Sequence, residues 1–184
     1  ARELGTSVRA LASSADGGTL YAGTWGEGLL ALDPRTGARV EHFTWSEGAV
    51  HDARLGAARR VTTLLDYGGT LQVGTAAGLF ALHDDDGERR LISSPFRTTV
   101  GYVNGLGHSA QGLWVGELGG VFVARSTGGA LVMDAADVRD IVDDGGRMLM
   151  APYDRGLLVG SGDGVLEAPV KTGPLVGVDL ERND

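Results

Sequence analysis

Hydrophobic and polar positions repeat along this chain in four similar blocks. Each block opens with a tetrad of the form Val-x-x-Leu or Val-x-x-Ile, beginning at Val8, Val61, Val103 and Val138. A second apolar run starts ten residues after the opening valine, or twelve in the first block, and its last position is small: Gly23, Gly74, Gly116 or Ala151. A third run and a weaker fourth run follow in every block. The chain therefore repeats one unit of four apolar runs.

Each run has the features of a β-strand. The runs are five to seven residues long and rich in Val, Leu, Phe and Tyr. They are separated by turn signals such as "DYGG" (66–69), "DDDG" (84–87) and "DDGG" (143–146). Asp-Gly and Gly-Gly pairs supply the positive φ angles that tight hairpins require. Because glycine also recurs too often for a helix, each unit is predicted to be a four-stranded antiparallel meander.

A meander of this size corresponds to one blade of a β-propeller. A lone blade has two apolar faces, and stacking blades against one another buries both. The small residue that ends the second run fits this arrangement, because neighbouring blades crowd together there. We therefore predict an all-β fold, a β-propeller of four-stranded antiparallel meander blades. The four blades of this chain are predicted at about 8–45, 61–95, 103–136 and 138–170.

The spacing of the blades leaves the organisation of the domain open. The blades begin at intervals of 53, 42 and 35 residues, which is irregular for an ideal closed ring. Residues 1–184 are predicted to be a single propeller domain, as a small ring or a half ring, or a segment of a larger propeller. Residues 1–7 and 175–181 each have the pattern of a spare terminal strand. Open arrangements leave strand edges uncovered, which favours self-association or the remaining blades of a longer chain.

Residues 46–60 form an insertion between the first two blades. Its sequence, "SEGAVHDARLGAARR", predicts a short helix with Ser46 as its N-cap and an arginine pair at its C-terminal end. Long insertions of repeat folds are often places where binding specificity resides.

Composition and charge narrow the classes of function. The formal net charge of −8 argues against a nucleic-acid partner, because such a surface needs clustered Lys and Arg. No run reaches the roughly 18 apolar residues of a membrane span. The chain has no cysteine, and its four histidines fall at unrelated positions of the blocks. We therefore predict no catalytic residues, no metal site and no cofactor.

The most regular block, "VNGLGHSAQGLWVGELGGVFV" (103–123), resembles the short-repeat propellers that form periplasmic sensor regions of bacterial two-component systems. The first block, "VRALASSADGGTLYAGTWGEGLLALD" (8–33), is also similar, more weakly, to sialidase-like and photosystem-assembly-factor-like propeller repeats. The resemblance covers about 8–170 and rests on structural positions. It implies a sensor-type propeller, and it slightly favours a periplasmic or extracellular location over the cytoplasm.

The candidate site follows from the geometry of a meander blade. The loop between its second and third strands lies at the same end as the blade-to-blade connection, and propeller ligands usually bind at this rim and in the axial channel. The candidate loop residues are Trp25, Glu27, Glu117, Tyr153, Asp154 and Arg155. The residue after each opening valine is polar, which adds Arg9, Thr62, Asn104 and Arg139. This set suits a protein partner or a small polar ligand.

Three functional hypotheses follow from these observations. The first is a non-catalytic binding module for ligand sensing or protein–protein recognition through the rim and channel. The alternative is a metal-dependent, lactonase-like hydrolase or lyase, which would need histidine and acidic residues converging on the channel. A further alternative is an oligomerisation scaffold, in which the blade edges themselves carry the function.

Overall fold

The computed structural model describes residues 7–46, 48–51, 54–96, 101–125, 128–134, 137–153, 156–161 and 164–167. Within these residues the strands form four antiparallel sheets of four strands each, and every sheet follows the order of the chain. The predicted fold class is confirmed: the chain is an all-β protein with four β-propeller blades. The chain divides into two compact units, Ala1–Pro95 and Phe96–Asp184.

The first unit contains blades 1 and 2. Blade 1 consists of β1 (Val8–Ser13), β2 (Leu20–Thr24), β3 (Leu29–Leu32) and β4 (Arg39–His42). The short helix α1 (Leu55–Ala58) precedes blade 2. Blade 2 consists of β5 (Val61–Tyr67), β6 (Thr70–Thr75), β7 (Gly78–Asp85) and β8 (Glu88–Ser93).

The second unit contains blades 3 and 4. Blade 3 consists of β9 (Val103–Ser109), β10 (Gly112–Glu117), β11 (Gly120–Arg125) and β12 (Gly128–Asp134). Blade 4 consists of β13 (Val138–Asp144), β14 (Arg147–Pro152), β15 (Leu158–Ser161) and β16 (Gly164–Glu167).

The tight turn between β5 and β6 shows how the turn signals act. Gly68 and Gly69 both have positive φ, 63° and 78°, as a two-residue hairpin turn of this hand requires. Asp66 closes the turn, because its Oδ1 accepts the backbone N–H of Gly69 at 3.1 Å. The predicted "DDGG" turn of blade 4 closes in the same way through Asp143 and Gly146, at 2.8 Å.

Each unit has its own hydrophobic core, formed largely where its two blades meet. Each core combines aliphatic and aromatic side chains with one opening valine, Val61 in the first unit and Val138 in the second, from the blade faces that stack together. The larger members of the first core are Tyr21, Leu29, Phe43, Val61, Leu71, Val73, Phe80 and Leu91. Those of the second are Trp114, Val121, Val123, Val138, Ile141, Met148, Met150 and Leu158.

The predicted start of the helix in residues 46–60 is wrong. Trp45 forms a parallel bridge with Leu91, and the N–H of Ser46 donates to the carbonyl of Leu91 at 2.8 Å. This pairing holds Ser46 in an extended segment beside β8, so its side chain does not cap a helix. Among the described residues, α1 is only four residues long, and the N-cap position is taken by Arg54.

The predicted terminal strands fall mostly outside the described residues, which include Ser7 but not residues 1–6 or 175–181. In the part of the chain that the structure describes, no helix has the length and apolar character needed to cross a membrane.

Candidate functional site

The strand register places those predicted site residues that the structure describes at one end of each blade. Every opening valine pairs with the last residue of the second strand: Val8 with Thr24, Val61 with Thr75, Val103 with Glu117, and Val138 with Pro152. The loop between the second and third strands therefore lies beside the start of the first strand. We define the rim of a blade as this loop together with the residues directly before and after the opening valine.

A β-bulge follows the opening valine in all four blades. The register of the first two strands shifts there by one residue, so that one residue of the first strand has no partner. The four extra residues are Arg9, Thr62, Asn104 and Arg139. A bulge changes the direction in which a side chain projects from its strand. The polar residue that follows each opening valine is thus the residue that the bulge sets apart from the strand pairing.

A backbone hydrogen bond fixes the rim in the same way in every blade. The first residue after the second strand donates its N–H to the carbonyl of the residue before the opening valine. These pairs are Trp25 with Ser7 (2.8 Å), Ala76 with Arg60 (3.0 Å), Leu118 with Tyr102 (3.1 Å) and Tyr153 with Asp137 (2.9 Å). The backbone of the rim is therefore constant, whereas the side chains that it carries differ from blade to blade.

Buried threonine hydroxyl groups stabilise the rim loops of blades 1 and 2. Thr24 is fully buried, and its Oγ1 donates to the carbonyl of Gly28 at 2.9 Å and accepts the N–H of Glu27 at 3.0 Å. Thr75 closes the corresponding loop of blade 2 with bonds of 2.9 and 3.0 Å. These bonds stabilise the loop conformation seen in the structure.

Glu117 occupies the equivalent position in blade 3. Its side chain is only 1% exposed, and a Cβ added to Gly101 would lie 2.7 Å from its Oε2. Sequence reasoning predicted Glu117 as a rim ligand, but the structure places its carboxyl in the interior.

The rim of blade 1 brings two arginines to one tryptophan. The Cζ atoms of Arg9 and Arg60 lie 5.1 and 5.6 Å from the centroid of the Trp25 ring, which is cation–π distance. Trp25 remains 36% exposed. Glu27 belongs to the same loop, but its carboxylate pairs with Arg39 of β4 at 3.5 Å. The group formed by Arg9, Trp25 and Arg60 is called the Trp25 cluster below.

The second unit has a related arrangement on blades 3 and 4. Asp137 accepts hydrogen bonds from Asn104 Nδ2 at 2.8 Å and from Arg139 at 2.6 Å. The Cζ of Arg139 lies 5.0 Å from the centroid of the Tyr153 ring. Tyr153 is 52% exposed. Asp137 therefore links the bulge residues of two neighbouring blades and neutralises one of them.

The structure brings some of the predicted site residues together and adds two that were not predicted. The structure brings Arg9 to Trp25 and Arg139 to Tyr153, as expected for residues of one rim. It adds Arg60 and Asp137, which directly precede an opening valine and could have been found from that position. The predicted residues Asp154 and Arg155 lie outside the described residues.

A groove of about 370 Å³ lies at the opposite end of blades 1 and 2. Its walls include Tyr21 and Leu71, with Asp16, Asp66 and Asp84 at its edge. The hydroxyl of Ser14 and the N–H of Gly18 hydrogen-bond to Asp16 and lower the pKa of its carboxyl. All three aspartates accept backbone N–H groups of their own turns, so these carboxylates stabilise the turns. Among the described residues, no group of three or more His, Cys, Asp or Glu is placed to hold a metal ion.

No protein-family model and no curated protein matches this chain. Solved structures do match it. The extracellular domain of the B. thetaiotaomicron one-component system BT4673 is 18% identical with a TM-score of 0.75, and the match covers 98% of this chain and 26% of that one. The extracellular domain of the B. thetaiotaomicron hybrid two-component system BT3049 is 18% identical with a TM-score of 0.64, covering 86% and 22%. The computationally designed Ika4 protein is 16% identical with a TM-score of 0.60, covering 87% and 94%.

The chain shares the β-propeller fold with these structures. The resemblance to propellers of bacterial sensor systems is confirmed at the level of fold. The chain spans about a quarter of the length of the two extracellular domains. At these sequence identities the likeness concerns the fold, and the site must be argued from its own residues.

Proposed function

We propose that the chain is a non-catalytic binding module that recognises a protein partner through the rims of its blades. The observation that carries this proposal is the combination of a constant rim backbone with variable rim side chains. The same bulge and the same N–H to carbonyl bond recur in four blades. Variable side chains on a rigid, repeated backbone are typical of binding surfaces, because the scaffold holds them in place without restricting their identity.

The exposure of the rim supports a protein partner. The first loop residue is Trp25, Leu118 or Tyr153 in blades 1, 3 and 4, and these side chains are 36, 58 and 52% exposed. Exposed aromatic residues with adjacent arginines are enriched in protein–protein hot spots. All three side chains present apolar surface to solvent at equivalent positions of their blades, and we infer that a partner covers this surface.

A triple variant tests whether the rim binds. Trp25→Ser, Leu118→Ser and Tyr153→Ser together would remove the large exposed apolar side chains from the rims of blades 1, 3 and 4. The matched control removes three exposed apolar side chains elsewhere, by Leu11→Ser, Val40→Ser and Leu131→Ser; these are 60, 63 and 50% exposed. Peptides selected by phage display against the unmodified protein serve as the probe, and their dissociation constants are measured by biolayer interferometry.

We expect the rim variant to bind the selected peptides at least about 30-fold more weakly, the effect of losing one hot-spot residue. The control variant should bind them with unchanged affinity, and both variants should keep the far-UV dichroism of the parent. Peptides that bind the rim variant normally but lose affinity for the control variant would contradict the proposal.

We also propose that the protein is located outside the cytoplasm. Two of the solved structures similar to this chain are extracellular domains of bacterial sensor systems. Fractionation of the source cells, with an antibody raised against this chain, should find it in the periplasm or outside the cell. A purely cytoplasmic signal would contradict this part of the proposal.

A further inference from the structure

The Trp25 cluster differs in charge from its counterpart in the second unit. Both units place three side chains at equivalent points: the bulge residue and the first loop residue of one blade, and the residue before the opening valine of the next. In the first unit these are Arg9, Trp25 and Arg60; in the second they are Asn104, Leu118 and Asp137. Asn104 and Asp137 satisfy each other through a hydrogen bond of 2.8 Å. The two arginines, by contrast, carry the same charge.

The arginines of the cluster have no carboxylate partner among the described residues. Ion pairs with carboxylates are seen there for Arg39, Arg89, Arg90, Arg139 and Arg147, but for neither Arg9 nor Arg60. The guanidinium groups of both arginines lie over the indole ring of Trp25. An indole has no negative charge and cannot neutralise two cations. In a chain of net charge −8, two arginines without a carboxylate at one exposed tryptophan are an unusual local excess of positive charge.

The backbone holds the cluster in place before any partner binds. The carbonyl of Arg59 accepts the N–H groups of Gly26 and Gly28, both at 3.0 Å, so the chain entering blade 2 is tied to the loop of blade 1. Trp25 and Arg60 also form an isolated antiparallel bridge. Arg9 is positioned independently by the bulge of β1. A preorganised pair of guanidinium groups loses less entropy when it binds a ligand.

We propose that the Trp25 cluster binds a short acidic segment of a protein partner, with a carboxylate between Arg9 and Arg60 and an apolar neighbour of that carboxylate on Trp25. This inference rests on the proposed function of the rim. Guanidinium groups bind carboxylates through paired, charge-assisted hydrogen bonds, and an indole supplies the adjoining apolar contact. A long polyanion fits less well, because the net negative charge of the chain repels it beyond the cluster. The chemistry therefore points to one or two carboxylates beside an apolar residue.

The experiment compares two pairs of variants with two blocked synthetic peptides. One peptide, Ac-Gly-Glu-Leu-Glu-Phe-Gly-NH2, carries two carboxylates; its control replaces both glutamates with glutamine. Arg9→Gln with Arg60→Gln removes the charge of the cluster. Arg35→Gln with Arg90→Gln removes the same charge from exposed arginines outside it. The fluorescence of Trp25 reports binding, with Trp25→Phe to identify its signal.

We expect the acidic peptide to bind the parent at least about tenfold more tightly than the glutamine peptide, and the Arg9→Gln/Arg60→Gln protein to lose this preference. The Arg35→Gln/Arg90→Gln protein should keep it. Reversal of charge by Arg60→Glu should weaken binding of the acidic peptide further, and unchanged far-UV dichroism of the variants separates loss of charge from loss of fold. Equal binding of both peptides by the parent, or an unchanged preference after Arg9→Gln/Arg60→Gln, would overturn the inference.

Two outcomes separate this inference from the proposed function. If peptides selected by display bind through the rim but neither contain acidic residues nor respond to Arg9→Gln/Arg60→Gln, the inference fails and the proposed function stands. If free glutamate competes as well as the acidic peptide, the cluster recognises a small anion, and the inference of a protein segment is likewise overturned.

Discussion

Gly23, near the end of β2, lies so close to Val61 at the start of β5 that a Cβ added to Gly23 would be 2.4 Å from Val61 Cγ1. The same contact recurs in the second unit, where a Cβ on Gly116 would lie 3.1 Å from the Cβ of Val138. Both valines are fully buried. The glycine one position before the end of β2 and of β10 therefore lets the opening valine of the neighbouring blade in the same unit pack directly against the backbone.

This contact predicts that Gly23→Ala destabilises the protein. The added methyl group would overlap Val61, and overpacking of a buried contact costs about 1–3 kcal/mol. Val61→Ala in the same chain should recover part of the loss, since it removes the overlapping atoms. Urea denaturation of the single and double variants measures both effects. Gly56→Ala is the control, because a Cβ added to Gly56 would meet no atom within 4 Å. If Gly56→Ala lowered stability as much as Gly23→Ala, the prediction would be contradicted.

The buried hydroxyl of Thr24 gives a second prediction. Thr24→Val keeps the shape of the side chain but leaves the N–H of Glu27 without its hydroxyl acceptor and removes a bond to the carbonyl of Gly28. We expect the free energy of unfolding to fall by about 1–2 kcal/mol. Thr75→Val should give a similar loss, because Thr75 makes the equivalent bonds in blade 2. An increase in stability in either variant would show that the hydroxyl does not support its loop.

Replacing Asp137 is predicted to lower the free energy of unfolding more than replacing an exposed aspartate that pairs only with an arginine. Asp137→Ala would leave the amide of Asn104, which is 8% exposed, without its acceptor and would leave Arg139 unpaired. We expect a loss of about 1–3 kcal/mol in thermal or urea denaturation. Asp144→Ala removes the partner of Arg147, whose side chain is 64% exposed, and should cost no more than about 0.5 kcal/mol. Equal losses in the two variants would contradict a structural role for Asp137.

Asp33 gives a prediction about pH. The N–H and the hydroxyl of Thr36 hydrogen-bond to its carboxylate and hold its pKa below the ordinary value of 3.8. A carboxyl with a lowered pKa in the folded state adds stability above its unfolded pKa and loses it as the pH falls through the folded value. The difference in unfolding free energy between the parent and Asp33→Asn should therefore be largest near neutral pH and shrink below about pH 4. Asp16→Asn should behave alike, and a difference that grows with acidity would contradict the sign.

Much of the rim could be predicted from the sequence, because strand geometry translates directly into position. Once the runs are recognised as a meander, the residue after Val8 must lie beside the loop that contains Trp25, and the structure places Arg9 on that ring. Arg139 and Tyr153 follow by the same reasoning. The burial of individual side chains was harder to predict from the sequence. Glu117 has the sequence context of a polar loop residue, yet it lies inside blade 3 because it pairs with Val103 within the sheet.

The sequence by itself determined the number of blades, the four apolar runs of each blade and the need for a small residue at Gly23. These depend on local periodicity and turn chemistry, which act over a few residues. Packing between distant segments determined the rest. Ser46 has the properties of a helix cap, but its N–H is taken by Leu91 of blade 2. Arg60 reaches Trp25 for the same reason, because contacts between blades join residues that lie 35 positions apart in the chain.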